Sequence, residues 1–138
     1  MLSYLEERFG IHKFVFDEYI LLKKNKSWWF LRESPFIAQA SVLKVWITGL
    51  KAFQRIGKYI KPTTRMIQVF GHYADKAIVD IQEDDIKKMA EGEPVPCDMR
   101  MDNGYVILSS KGRMLGLGLF IDGNVRSQIH RRDIISFI

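Results

Sequence analysis

The chain reads as an α+β protein: a mixed β fold with flanking short helices, preceded by a small N-terminal α/β subdomain. Three observations predict this. Apolar residues recur at helical spacing only over stretches of about two turns. β-prone runs separated by glycine turn signals crowd the last third of the chain. The 138 residues, 47% hydrophobic and 27% charged, suit one modest folded domain or a small subdomain packed on a larger one.

In chain order, Leu2, Leu5 and Phe9 share one helical face and Gly10 supplies a stop, predicting a short amphipathic helix. A short turn around residues 14–19 follows. Residues 19–23 and 27–31 are β-prone and joined by Lys24-Asn25-Lys26, which predicts a hairpin. Pro35 opens a connection to a Val-, Ile- and Trp-rich run at residues 42–48. The boundary is placed near 32–40, giving an N-terminal unit of residues 1–38 and a larger one of 39–138. Residues 49–61 read as a strand and turn, because Gly49 and Gly57 punctuate them, although Lys51, Arg55 and Lys58 would also share a helical face.

Pro62 followed by Met66, Val69 and Phe70, and closed by Gly71, predicts a helix with proline in its first turn. Its start, beside Lys61, Thr63, Thr64 and Arg65, could cradle a phosphate, or could be an ordinary solvated helix start. Asp80, three residues before Glu83, resembles a capping box. Ile86, Met89 and Ala90 then form a buried stripe and Gly92 the stop, so Glu83, Asp84 and Asp85 are assigned to helix stability. Residues 105–109, 115–121 and 125–127 are strand-like and separated by Lys111-Gly112 and Asp122-Gly123-Asn124, which predicts a β-meander.

Charge is unevenly placed. The formal net charge is +5, yet Asp75, Asp80, Glu83, Asp84, Asp85, Glu91 and Glu93 crowd one segment. Between Glu33 and Asp75 there is no acidic residue, while Lys44, Lys51, Arg55, Lys58, Lys61 and Arg65 are interleaved with Trp46, Phe53 and Tyr59. Cations without carboxylate partners bind phosphate backbones in a salt-dependent way, and aromatic faces offer stacking surfaces to unpaired bases. A solvated basic face with its aromatics in the core fits the same residues. Trp28, Trp29 and Trp46 are assigned to the core, whereas Tyr59 and Tyr73 are better placed for exposure.

No enzyme constellation is found. Gly116-Leu117-Gly118 lie within a strand pattern and read as close backbone packing or a bulge, not as a dinucleotide loop. His12, His72 and His130 have no second ligand at metal spacing, and the one cysteine, Cys97, lies between Pro96 and Asp98 without a nucleophile signature. Catalytic residues, metal and cofactor are therefore not expected. A single cysteine fits a reducing compartment, no apolar run reaches the roughly 20 residues of a membrane span, and no signal pattern opens the sequence. The expected location is cytoplasmic, with no membrane partner.

The run Gly104-Tyr105-Val106-Ile107-Leu108, Gly112, Leu115-Gly116-Leu117-Gly118, Asp122-Gly123-Asn124-Val125-Arg126 and Arg131-Arg132 resembles a PUA-like domain of the kind found at the C-terminus of Sun/Fmu-type ribosomal RNA cytosine methyltransferases. Upstream, Gly49-Leu50, Lys61-Pro62, Gly71 with Ala74 and the stretch 83–90 ending in Gly92 fall in the same order. Leu5-Glu6-Glu7-Arg8-Phe9-Gly10-Ile11 is similar to the segment preceding the PUA-like part in archaeal members. His130 stands where the family usually has a proline. Nothing in the chain resembles the methyltransferase domain or its paired catalytic cysteines. The resemblance implies a PUA-like pseudobarrel standing alone as a non-catalytic module that binds structured rRNA or tRNA in RNA modification or ribosome assembly. The contacts expected are Lys51, Arg55, Lys58, Tyr59, Lys61, Thr63 and Arg65, with Arg131 and Arg132 completing a basic groove. The alternative is a subunit that docks on a separate RNA-modifying enzyme or ribosomal protein, for which Trp28, Trp29 and Phe30 would have to be exposed.

Overall fold

The computed structural model describes residues 1–35 and 49–138. The Val-, Ile- and Trp-rich run at residues 42–48, with Lys44 and Trp46, lies outside the described residues. The protein is α+β, with two sheets. Helix α1 (Leu2–Phe9) ends at Gly10 as its apolar spacing predicts, and a 3-10 turn covers Lys13–Phe16. The first sheet is antiparallel, in the order β1 (Tyr19–Lys24), β2 (Ser27–Arg32), β3 (Leu50–Ile56), β4 (Tyr59–Pro62). Because β2 pairs directly with β3, this sheet draws strands from both sides of residue 38.

Helix α2 (Thr64–Phe70) starts later than the proline pattern suggests. Pro62 is the buried last residue of β4, and Thr63 caps the helix by accepting the Met66 amide at 3.0 Å. Gly71 does not end the helix in a left-handed turn but begins a 3-10 turn. Next come β5 (Ile78–Asp80), α3 (Glu83–Ala90), β6 (Val95–Pro96), β7 (Gly104–Ser110), β8 (Arg113–Ile121), β9 (Asn124–Ser127) and α4 (Arg131–Ile135). The second sheet runs β5-β7-β8-β9-β6, with only β5 and β7 parallel.

The expected meander is its centre. Lys111-Gly112 and Asp122-Gly123 all take positive φ, the backbone that two-residue hairpins require. The short strands β5 and β6 were not expected, nor was α4, since three and two residues carry too little periodicity to read. The α3 cap is displaced from the predicted box: Gln82 precedes the helix and its amide donates to Asp85 Oδ2 at 3.3 Å, while Asp80 sits on β5. The acids of α3 do lead its lysines, with Asp84–Lys87 and Asp85–Lys88 at 3.8 and 4.0 Å.

Two apolar clusters hold the sheets. One joins α1, the first sheet and α2 to Ile107 and Leu117 of the second sheet, and the other packs α3 and α4 on the second sheet. Within the first, Phe30 stacks on Phe16 at 4.8 Å and meets Phe70, Tyr19 and Phe53 edge-on. Arg8 ties α1 to the second sheet through Nε to the Tyr105 carbonyl at 2.7 Å and Nη1 to the Asp102 carbonyl at 3.0 Å.

Gly116 meets both of the roles expected of it. It pairs with Leu108 where the register shifts, Ser109 facing Met114. A Cβ there would lie 2.7 Å from Thr64 Cγ2 and 2.8 Å from Ile129 Cγ1 at a φ of 155°. Gly116→Ala must therefore push the first residue of α2 away from the sheet. The expected cost is about 1–3 kcal/mol, read as a lower urea midpoint with an unchanged slope. An unchanged midpoint would show that α2 does not need this close approach.

Candidate functional site

The two hairpins of the first sheet turn at the same end. Ser27 pairs with Gln54, and the Arg55 amide donates to the Lys26 carbonyl at 2.7 Å, which sets the Asn25-Lys26 turn beside the Gly57-Lys58 turn. Lys23, Lys26, Arg55 and Lys58 are exposed there, with Lys24 half-buried among them. Strands β1 to β4 and these two turns carry no acidic residue. Glu18 and Glu33 lie at the opposite end, where the Glu33 amide donates to the Glu18 carbonyl and Arg32 pairs with Glu18 at 3.2 Å. A strand rises about 3.3 Å per residue, so β1 separates its two ends by about 20 Å. That is more than two screening lengths at physiological salt, about 8 Å each. The carboxylates at the far end therefore do little to offset the basic edge.

Trp28 organises this edge from below. It is buried, and Lys23 Nζ and Arg55 Cζ lie 5.6 and 5.8 Å from its ring, within cation–π range. Arg55 is therefore held by the tryptophan of β2, whereas Lys58 lies over the ring of its neighbour Tyr59 at 5.3 Å.

The residues singled out from the sequence divide. Arg55, Lys58 and Tyr59 come together on this edge, and Tyr59 is exposed, as is Tyr73. Lys51 does not join them. A register shift between Trp28 and Trp29 sets Lys51 opposite Trp29, on the reverse face from Arg55 and Trp28. Lys61 is half-buried; its Nζ donates to Gln128 Oε1 at 2.9 Å and lies 5.9 Å from the Tyr105 ring. Burial lowers its pKa from the ordinary lysine value.

Thr63 is engaged internally, donating to the Lys51 carbonyl and accepting from Met66. Thr64 lies against Gly116, so of the expected phosphate cradle only Arg65 projects to solvent. Arg131 and Arg132 are exposed on α4, which packs on α3 rather than on the first sheet. Lys23, Lys24 and Lys26 were missed. Their signal is a second acid-free stretch, bounded by Glu18 and Glu33, immediately before the first.

Beside the basic edge, a cleft of about 840 Å³ opens between the sheets. Phe53, Lys58, Tyr59 and Ile60 form one wall, Tyr4 of α1 another, and Gly104, Tyr105, Leu119 and Ile121 of β7 and β8 the third. Burial holds the Tyr4 and Tyr105 hydroxyls above their ordinary pKa. Among the described residues no cluster of His, Cys, Asp and Glu could hold a metal ion, and no helix is long and apolar enough to cross a membrane. No model of a known protein family matches this chain, and no curated protein matches it.

Proposed function

We propose that this chain is a non-catalytic RNA-binding module that recognises structured rRNA or tRNA, with the turn end of the first sheet as its phosphate-binding surface. The observation that carries the reading is the convergence of Lys23, Lys26, Arg55 and Lys58 from two hairpins onto one edge of an acid-free sheet. Four cations held this close, with no carboxylate on their own strands, release counterions on meeting a polyphosphate backbone. Arg65 adds an exposed cation at the start of α2, and the burial that disfavours the Lys61 charge is offset when an anion lies beside it. The PUA-like resemblance of residues 104–132 supports the same reading and a role in RNA modification or ribosome assembly.

The alternative, a subunit docking on a separate RNA-modifying enzyme or ribosomal protein through its N-terminal aromatics, has less support, although Trp29 is half-buried rather than buried. Phe30 is 2% and Trp28 7% exposed, so neither offers the apolar patch such docking needs.

The test is titration of the full chain with total tRNA, ribosomal RNA fragments and duplex DNA from low to physiological salt. A preference for structured RNA that persists at physiological salt is expected. Affinity that vanishes equally for all three would reduce the edge to nonspecific electrostatics and end the proposal.

A further inference from the structure

The cleft between the sheets opens at the margin of the first apolar cluster, whose Phe53 forms its floor and whose Tyr4, Ile60 and Tyr105 turn part of their surface into it. Three tyrosines, Tyr4, Tyr59 and Tyr105, reach it from three different elements. Its other walls are aliphatic, Phe53 or Met1, and besides the tyrosine hydroxyls Lys58 and Asn103 bring the polar side-chain groups. Asn103 is already bonded at both ends of its amide to Asp122, donating to Oδ1 at 3.1 Å and accepting from the amide at 2.9 Å. Tyr59 is 64% and Ile121 47% exposed, so large apolar surface faces water here.

The cleft is also continuous with the basic edge. Lys58 belongs to both, and Lys61 lies over the ring of Tyr105 at 5.9 Å. A ligand with a flat aromatic body and an anionic tail matches this division: rings inside, cations at the β3–β4 rim. The volume lies within the range of small-molecule sites, about 300–1,000 Å³, and accommodates a purine with its sugar.

From this geometry we infer that the cleft is a nucleobase pocket: an unpaired base of a single-stranded RNA segment stacks on Tyr59 and Tyr105 while its phosphate lies against Lys58 and Lys61. The inference rests on the RNA-binding reading above and names what that surface reads. Phosphate contacts on the turn edge position the strand, and the pocket selects strands with a base free to leave the stack. A duplex can use only the edge.

The experiment compares the full chain with Tyr59→Ala and Tyr59→Phe, binding a single-stranded oligoribonucleotide and a duplex of the same length. Tyr59→Ala is expected to weaken single-strand binding about tenfold and duplex binding far less, the latter only through the lost seat of Lys58, with the salt slope unchanged because base–aromatic stacking is uncharged. Tyr59→Phe, which keeps the ring, should bind as the parent does. Equal losses on both nucleic acids, or none on the single strand, would overturn the pocket while leaving the basic edge standing.

Adenosine monophosphate reads the pocket and its Lys58 rim without Lys23, Lys26 and Arg55 of the edge. Shifts of the Tyr59 and Tyr105 ring resonances on its addition support the assignment even if no RNA polymer binds at physiological salt, which would sink only the module reading. Their absence at millimolar nucleotide overturns it. A dimer that Tyr59→Ala dissociates would give the cleft to a second copy of the chain and overturn it as well.

Discussion

Replacing Lys23, Lys26, Arg55 and Lys58 together by glutamine is expected to take about three units off the salt slope of RNA binding, because each phosphate contact contributes about 0.7–0.9. Carried from molar to physiological salt, a change of that size corresponds to a loss of about two to three decades in affinity. Glutamine keeps part of the apolar stem over Trp28, so the substitution removes charge more than packing. The thermal midpoint should fall only slightly, by the lost cation–π terms of about 0.5–1 kcal/mol each.

Two single variants serve as controls. Lys51→Gln alters a cation on the reverse face, beside Trp29, and Asp84→Asn alters an acid on α3. Neither should move the slope. If Lys51→Gln flattened it as much as Lys58→Gln, the RNA would lie across the other face of the sheet and the edge would be the wrong surface.

Phe30→Ala is expected to destabilise the fold by about 3–5 kcal/mol, the usual cost of emptying a buried aromatic site. Phe30 is 2% exposed and its ring lies 4.8 to 6.3 Å from those of Phe16, Tyr19, Phe53 and Phe70. These partners come from the 3-10 turn, β1, β3 and α2, so no single element can collapse into the space. A domain of this size holds about 5–15 kcal/mol in total, and the loss corresponds to a fall of roughly 10–20 °C in Tm. Phe30→Leu, which fills most of the volume, should recover much of the difference. A Phe30→Ala Tm within a few degrees of the parent would show that α2 is not seated through this ring.

Local features were legible because their signals lie within a few residues of one another. Gly10 and the Leu2, Leu5, Phe9 spacing marked α1; Lys24-Asn25-Lys26, Lys111-Gly112 and Asp122-Gly123 marked hairpins that all form. Misreadings arose where a distant contact outweighed a local pattern. Pro62 looked like a helix start, but pairing with Phe53 keeps it in β4 and passes the cap to Thr63. Asp80 looked like a cap, but pairing with Ser109 across the parallel β5–β7 ladder holds it in a strand.

The basic site shows the same division. By itself the sequence determined that cations would predominate around β3 and β4, that Tyr59 would be exposed, and that three glycine-bearing turns would build the sheets from hairpins, since charge content and turn chemistry are properties of short segments. Only the tertiary structure decided which cations act together. The β2–β3 pairing brought Lys23 and Lys26 beside Arg55, one shifted residue in the same ladder turned Lys51 to the opposite face, and the approach of the second sheet buried Lys61 against Gln128 and opened the tyrosine cleft. The physical reason is that strand register and sheet-on-sheet contact are settled by partners tens of residues away, and a slip of one residue reverses every side chain that follows.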